Sequence, residues 1–376
     1  MTTQDRLTKK FLQLVEIDGP SGHERDVADF LSGELNRLGL EVREDQAGEA
    51  FGGTAGNLIA RKKGTISDAP SILFCAHMDT IQPTRGIRTV ITNGTIATDQ
   101  STILGADDRA GLAIILETLE LLEHRNIPHG PIEVVFTVGE EIGMWGSKHL
   151  QVSELVSRTG FVFDSSAPPG AIIVEAPGSI AFEIRVVGKA AHAAVSPEKG
   201  INAIQVASRA VADLPLGRFG DTGTINVGII QGGKAINIVP DEVILKGEVR
   251  SPIESELQEK IAYIEDQFVR QAKNAGAHVE FKSNRKYNGF RLGDHEAVVQ
   301  LAMNAVTTAG LQPSTIRYAG GSDANILNEK GIQTVNLGVG FSNVHSSLES
   351  IAIEHLVTLS NIGVQLTQMA LNHRKD

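Results

Sequence analysis

Ser71-Ile72-Leu73-Phe74-Cys75-Ala76-His77-Met78-Asp79 is an apolar run that ends on a histidine and an aspartate two residues apart. The run reads as a strand, and the carboxyl ends of strands are where α/β sheets place their ligands. An i, i+2 pair shares a face, so His77 is set to coordinate a metal through an imidazole nitrogen. Asp79 is spaced to orient that imidazole from behind. Taken alone, the pair reads better as a strand cap followed by a turn.

Upstream, Leu7, Phe11, Leu14 and Val15 recur at helical spacing, which predicts a helix over 4–16 that ends at Asp18-Gly19-Pro20. Ser21 with Glu24 three residues on has the pattern of a capping box for a second helix, with Val27, Phe30, Leu31, Leu35 and Leu38 on its buried face and Gly39 as its stop. Strands are expected at 40–44 and 57–62, with a hairpin at Thr92-Asn93-Gly94. Downstream come a helix over 108–123, a strand over 132–138, a short helix near 147–150 and a strand over 160–163. This alternation predicts an α/β fold, a mixed and largely parallel sheet flanked by helices.

After Pro177 the pattern becomes strand 179–188, helix 201–213, strands 224–231 and 241–249, helix 255–274 and strand 277–284. That is the βαββαβ order of a ferredoxin-like unit. The tail returns to helix–strand alternation: 297–308, 315–319, 324–330, 333–338 and a long helix over 351–371. Residues 178–287 are therefore expected to be an insertion, and 1–177 with 288–376 to form the first domain.

Length and composition agree. A chain of 376 residues exceeds what one hydrophobic core usually serves, and 41% hydrophobic with 21% charged residues is ordinary for a globular protein. A formal charge of −11 repels phosphate backbones and anionic lipid, so neither nucleic acid nor a membrane is expected as partner. The single cysteine, Cys75, and the polar start Met1-Thr2-Thr3-Gln4-Asp5-Arg6 point to the cytoplasm. No stretch reaches the about 18 apolar residues that suggest a membrane span.

Four further segments repeat the chemistry of His77 and Asp79. Asp107 and Asp108 stand just before a helix, where one can bridge two cations and the other can cap the helix. Glu140 and Glu141 end the strand over 132–138, and two adjacent carboxylates at a buried strand end are costly without cations nearby. Asp164 ends the next strand, and His345 lies in the tail. Together they make two histidines and three acids as ligands, with one acid left to take a proton from a metal-bound water.

The order His-x-Asp, Gly-Ala-Asp-Asp-x-Ala-Gly, Glu-Glu-x-Gly, Asp and a late His resembles the co-catalytic zinc exopeptidases, in the branch of peptidase T, glutamate carboxypeptidase and succinyl-diaminopimelate desuccinylase. The resemblance covers nearly the whole chain. It implies two zinc ions per chain, with manganese or cobalt as substitutes: His77 and Asp164 on one, Glu141 and His345 on the other, Asp107 bridging. It further implies Glu140 as general base, Asp79 orienting His77, and a cis peptide between Asp107 and Asp108.

Thirty residues separate His77 from Asp107, too few for a domain, and the insertion after Asp164 is the peptidase T arrangement. Within the insertion, Gly188-Lys189-Ala190-Ala191-His192-Ala193 resembles the segment whose histidine reaches the scissile carbonyl. Asn237, Arg250 and the Gly320-Gly321-Ser322-Asp323 loop resemble substrate-binding positions, with Gly321 and Ser322 facing a substrate carboxylate. The implied activity is release of the N-terminal residue from tripeptides. The alternatives are N-acyl amino acid amidohydrolase or carboxypeptidase action on the same scaffold and, more remotely, a silent peptide-binding protein. The inserted domain is expected to serve as a lid and to pair two chains as a homodimer.

Overall fold

A computed structural model describes residues 2–66 and 68–371. The chain divides into two compact units, one of Met1–Val174, Leu292–Tyr318 and Ser322–Asp376, the other of Glu175–Arg291 with Ala319–Gly321.

The first unit is built on a mixed sheet. At its centre the strands Ile132–Thr137, Ile72–His77, Thr159–Val162 and Gln333–Leu337 lie side by side and parallel. Antiparallel strands flank them, Leu58–Lys62 and Glu41–Glu44 on one side and Ala171–Ala176 on the other. Every residue of Ile72–His77 and of Ile132–Thr137 is buried, as befits parallel strands covered on both faces. The helix Ala106–His124 packs against Ile353–Ala370 and Thr3–Glu16, and its apolar residues join the same core. Parallel pairing has one consequence for chemistry. Cys75 is in register with Val135 on one side and Val162 on the other, so the carboxyl ends of three strands emerge together.

Three local readings differ from expectation. The Ser21–Glu24 pattern does not make a capping box: the second helix runs Arg25–Arg37, and Glu24 at its N-cap makes no side-chain cap bond. Its carboxylate turns inward instead, to the amides of Gly22 and Gly139. The last helix begins at Ile353 rather than 351, because Ser350–Ala352 pairs with the hairpin strand Thr95–Thr98. The strand Ala171–Ala176 was not anticipated; it lies before Pro177 in what reads as connection. Gly39 stops its helix as expected, at φ +74°, a left-handed conformation that glycine adopts without steric cost.

The second unit is a five-stranded antiparallel sheet in the order Gly217–Phe219, Gly223–Gly232, Glu242–Ser251, Gly178–Val187, His278–Tyr287. With the helices Ala203–Ala212 and Glu254–Ala275 it has the expected βαββαβ order, plus the short strand Gly217–Phe219. Ile180, Phe182, Ile184 and Val186 alternate with less buried neighbours and meet Ile264 and Phe268 in a separate core. No helix among the described residues is long and apolar enough to cross a membrane.

Candidate metal centre

The strand ends gather the acids and histidines singled out above. His77 Nε2 lies 3.1 Å from Asp107 Oδ1 and 3.9 Å from Asp164 Oδ1. His345 Nε2 lies 3.0 Å from Glu141 Oε1 and 3.3 Å from Asp107 Oδ2. One carboxylate, that of Asp107, therefore sits between two imidazoles, with one oxygen toward each. Two triads, His77–Asp107–Glu141 and His77–Asp108–Asp164, have donor atoms within 4.8 Å of one another, close enough to share a cation.

The local backbone explains the placement. The Asp107–Asp108 peptide is cis, and both residues leave helical geometry at the start of Ala106–His124. Asp108 then serves the helix start: Oδ1 accepts from the Gly111 amide at 3.0 Å and Oδ2 from the His77 amide at 3.2 Å. Gly111 must be glycine, since a Cβ there would stand 2.5 Å from Asp108 Oδ1 and from the Phe163 carbonyl oxygen. The Gly-Ala-Asp-Asp-x-Ala-Gly motif is thus a steric device that presses a helix onto a strand end.

Asp79 is fully buried. Its Oδ1 accepts from the Glu140 amide at 3.0 Å, and its Oδ2 from the Glu141 amide at 3.1 Å and the Ser21 hydroxyl at 2.6 Å. The nearer partner of His77 Nδ1 is the Asp79 carbonyl oxygen at 2.9 Å, with the carboxylate at 3.4 Å. Asp79 therefore meets both the imidazole and the turn that carries the paired glutamates.

Two residues that sequence reading did not single out hold the cluster from outside. Asn336 clamps the backbone of Asp164, accepting from its amide at 3.0 Å and donating to its carbonyl at 2.5 Å. Glu349, 1% exposed, accepts from the Asp107 amide at 2.9 Å and from the Gly105 amide at 2.6 Å. An asparagine inside an apolar strand was a visible signal for the first. Nothing local marked the second. Replacing Glu349 with alanine should lower metal affinity by about 10- to 100-fold, the usual effect of losing a support behind a ligand. A competition titration with a chromophoric chelator reads this directly.

The electrostatics fit cations. Burial pushes the carboxyls of Asp108, Asp164 and Glu140 well above the usual range, reinforced by their negative neighbours, and raises Glu141. Burial opposes a charged His77, but Asp107 and Asp79 outweigh it and raise its pKa. Hydrogen bonds to Asp107 and Glu141 push His345 up to about 10. Without metal, then, protons supply the positive charge that these acids require. The donor set of imidazole nitrogens and carboxylate oxygens is one that zinc takes in catalytic sites.

The remaining candidates have more ordinary surroundings. His192 and Asn237 lie exposed and adjacent in the second unit, where the Ala193 amide donates to the Asn237 carbonyl at 3.0 Å. His192 Nδ1 accepts from the Ala194 and Val195 amides at 3.2 and 3.3 Å. Arg250 forks onto Glu248 through bonds of 3.0 and 3.2 Å. Gly321 packs against the Tyr287 ring, 2.6 Å from where a Cβ would stand. Ser322 is buried and caps the helix Asp323–Glu329, accepting from the Ala324 amide at 3.3 Å.

Comparison with known proteins extends this geometry. The peptidase dimerisation domain model matches residues 174–276, and the model of peptidase family M28 matches residues 57–199. Fold and cluster together define a metallopeptidase. The aminopeptidase PepT of Bacillus cereus ATCC 10987 is 39% identical, with a TM-score of 0.92 and 98% of each chain covered. A tripeptidase of Staphylococcus aureus subsp. aureus Mu50 is 37% identical, with a TM-score of 0.95, covering 98% of this chain and 99% of that one. The uncharacterized protein YqjE of Bacillus subtilis (strain 168) is 40% identical over 371 residues, 98% of this chain and all of its own length. The chain belongs to the co-catalytic metallopeptidases of the peptidase T type.

Proposed function

We propose that this enzyme releases the N-terminal residue from tripeptides, with two zinc ions held by His77, Asp107, Asp164, Glu141 and His345. The observation that carries the reading is the Asp107 carboxylate set between His77 and His345, with Glu141 and Asp164 beside it. The tripeptidase and aminopeptidase similarity supports the substrate class. When bound, such a pair of cations acidifies a water and polarises a carbonyl.

The chain's own residues supply the rest. Glu140 is half-buried beside the cluster, and its raised proton affinity suits it to take a proton from the attacking water and pass it to the leaving amine. Asp79 fixes the amide of Glu140, and so the base. His192 is assigned to the carbonyl oxygen; Asn237, Arg250 and the Gly321–Ser322 turn are assigned to the peptide's carboxylate end, for which a guanidinium fork is suited. The buried single cysteine supports a cytoplasmic location.

A tripeptide and its N-acetylated counterpart test the reading. Free N-terminal amino acid and dipeptide from the first, and no product from the second, are expected. Cleavage of the acetylated peptide, or release of the C-terminal residue, would contradict it.

We also assign the second unit as a pairing surface for another copy of this chain. Among the described residues Gly217–Phe219 pairs only with Gly223–Ile225, and the rest of the strand Gly223–Gly232 carries Ile229 and Ile230, 46% and 54% exposed. Such an apolar edge is a template for strand pairing. Light scattering at assay concentration should give two chains for the wild type and one for Ile230→Lys.

A further inference from the structure

The glycine turn that carries Glu140 and Glu141 is held by three successive amides, and each has a buried carboxylate as acceptor. Gly139 donates to Glu24 Oε1 at 3.1 Å, Glu140 to Asp79 Oδ1 at 3.0 Å, and Glu141 to Asp79 Oδ2 at 3.1 Å. Asp79 belongs to the motif already described. Glu24 does not, and no helix cap accounts for it.

We propose that Glu24 is a positioning residue for the reaction, acting through the Gly139 amide to set the base Glu140 and the ligand Glu141. The inference rests on the roles assigned to those two glutamates above. Glu24 is fully buried, and its Oε1 also accepts from the Gly22 amide at 2.9 Å, so one oxygen ties the second helix's entry to the turn. Ser21, three residues earlier, donates to Asp79 Oδ2 at 2.6 Å. The segment Ser21–Glu24 thus bonds to the turn's first amide and to the carboxylate that holds the next two.

The surroundings keep water out and charge in. Gly139 has φ +60°, and a Cβ there would stand 2.8 Å from the Phe51 ring, so the turn is closed over by an aromatic face. Arg109, directly after Asp107-Asp108, is fully buried. Its Nη2 would lie 2.8 Å from a Cβ at Gly19, and the Glu24 Cα 3.8 Å from the same point. Asp79 and Glu24 are among the carboxylates whose charge favours the buried Arg109 guanidinium. A buried carboxylate pays a large desolvation cost, and a neutral cap would have served the helix as well. What the carboxylate adds is a strong, fixed acceptor for a turn that must not drift, since a misplacement of about 1 Å can cost about 10²-fold in rate.

The test compares Glu24→Gln, which keeps an acceptor oxygen in place, with Glu24→Ala, which removes it. Three readouts are taken: kcat and KM on a tripeptide, zinc affinity by chelator competition, and hydrogen exchange at the Gly139 amide in the metal-free protein. Glu24→Ala should lower kcat by about 30- to 100-fold at unchanged KM and saturating zinc, and should speed Gly139 exchange. Glu24→Gln, which leaves a weaker neutral acceptor in the same place, should fall between wild type and Glu24→Ala in kcat and in Gly139 exchange. Wild-type kcat in Glu24→Ala, or equal losses in both variants, overturns the proposal.

Should Glu24→Ala not fold, Glu24→Asp replaces it, because one fewer methylene withdraws the oxygen from Gly139. Lower kcat in Glu24→Asp than in Glu24→Gln then supports the role, and equal values overturn it. A wild type inactive on tripeptides would sink the proposed function alone, because Gly139 exchange decides the positioning independently.

Discussion

Glu140→Gln is expected to keep its fold and its metal and to lose about 10²- to 10⁴-fold in kcat on a tripeptide, with KM little changed. The substitution preserves shape and removes a single capacity, that of carrying a proton. Glu140 sits at the end of Ile132–Thr137 in a turn whose amides are bonded to buried carboxylates, so the amide side chain has no reason to move. Its carboxyl is pushed up by burial and by the charges of Asp164, Asp323 and Glu141, which gives it the proton affinity that an acid–base group needs. A loss of ligation would instead lower metal content. Steady-state kinetics with metal analysis of the same sample separates the two, and the acid limb of the wild-type kcat profile should flatten in the variant.

Removal of metal is expected to abolish hydrolysis, and its return at pH 7.5 to release about one proton or more per chain. His345 has its pKa pushed up to about 10, from an ordinary 6.5, by Asp107 and Glu141, and His77 is raised as well. His345 is therefore protonated in the metal-free protein at that pH, and a ligating imidazole must be neutral. Burial also raises Asp164, so its carboxyl keeps its proton to higher pH than an ordinary one. Calorimetric titration in buffers of different ionisation enthalpy counts the protons released.

The same shifts set the sign of the pH dependence. A histidine raised by its partners stabilises the metal-free fold fully below its unfolded pKa, and that contribution is lost as pH rises through about 10 for His345. The raised acids act in the same direction: they cost nothing below their ordinary pKa, and the cost grows as pH rises from that value and levels off above the raised one. The thermal midpoint of the metal-free protein should therefore rise from pH 8 to pH 6, while the increment added by zinc shrinks because protons compete for the ligands. A metal-free midpoint that falls over this interval would contradict the assignment of these shifts.

Much of this centre was legible in the chain because its residues sit at strand ends, where an apolar run announces the strand and the next polar residue announces the site. His77, Glu140 and Asp164 follow that rule. Gly111 stood in the sequence only as the last position of the motif, and its reason, the close approach of Asp108 and Phe163, exists only in the fold. Glu24 was misread as half of a capping box, because Ser-x-x-Glu looks the same whether the acid caps its helix or bonds a glycine amide 115 residues away. Glu349 was invisible for the same reason: its role is set by the Gly105 and Asp107 amides, which lie 244 and 242 residues away in sequence. The start of the last helix was misplaced because strand pairing by Ser350–Ala352 overrode an apolar periodicity that continued through it.

The most direct measurement is anomalous scattering at the zinc edge from crystals grown with the metal. Two peaks about 3.5–4 Å apart are expected, the spacing of paired catalytic metals, with Asp107 between them, His77 and Asp164 on one and Glu141 and His345 on the other. A single peak, or a pair in which Asp107 touches neither, would contradict the two-metal centre on which the proposed hydrolysis depends.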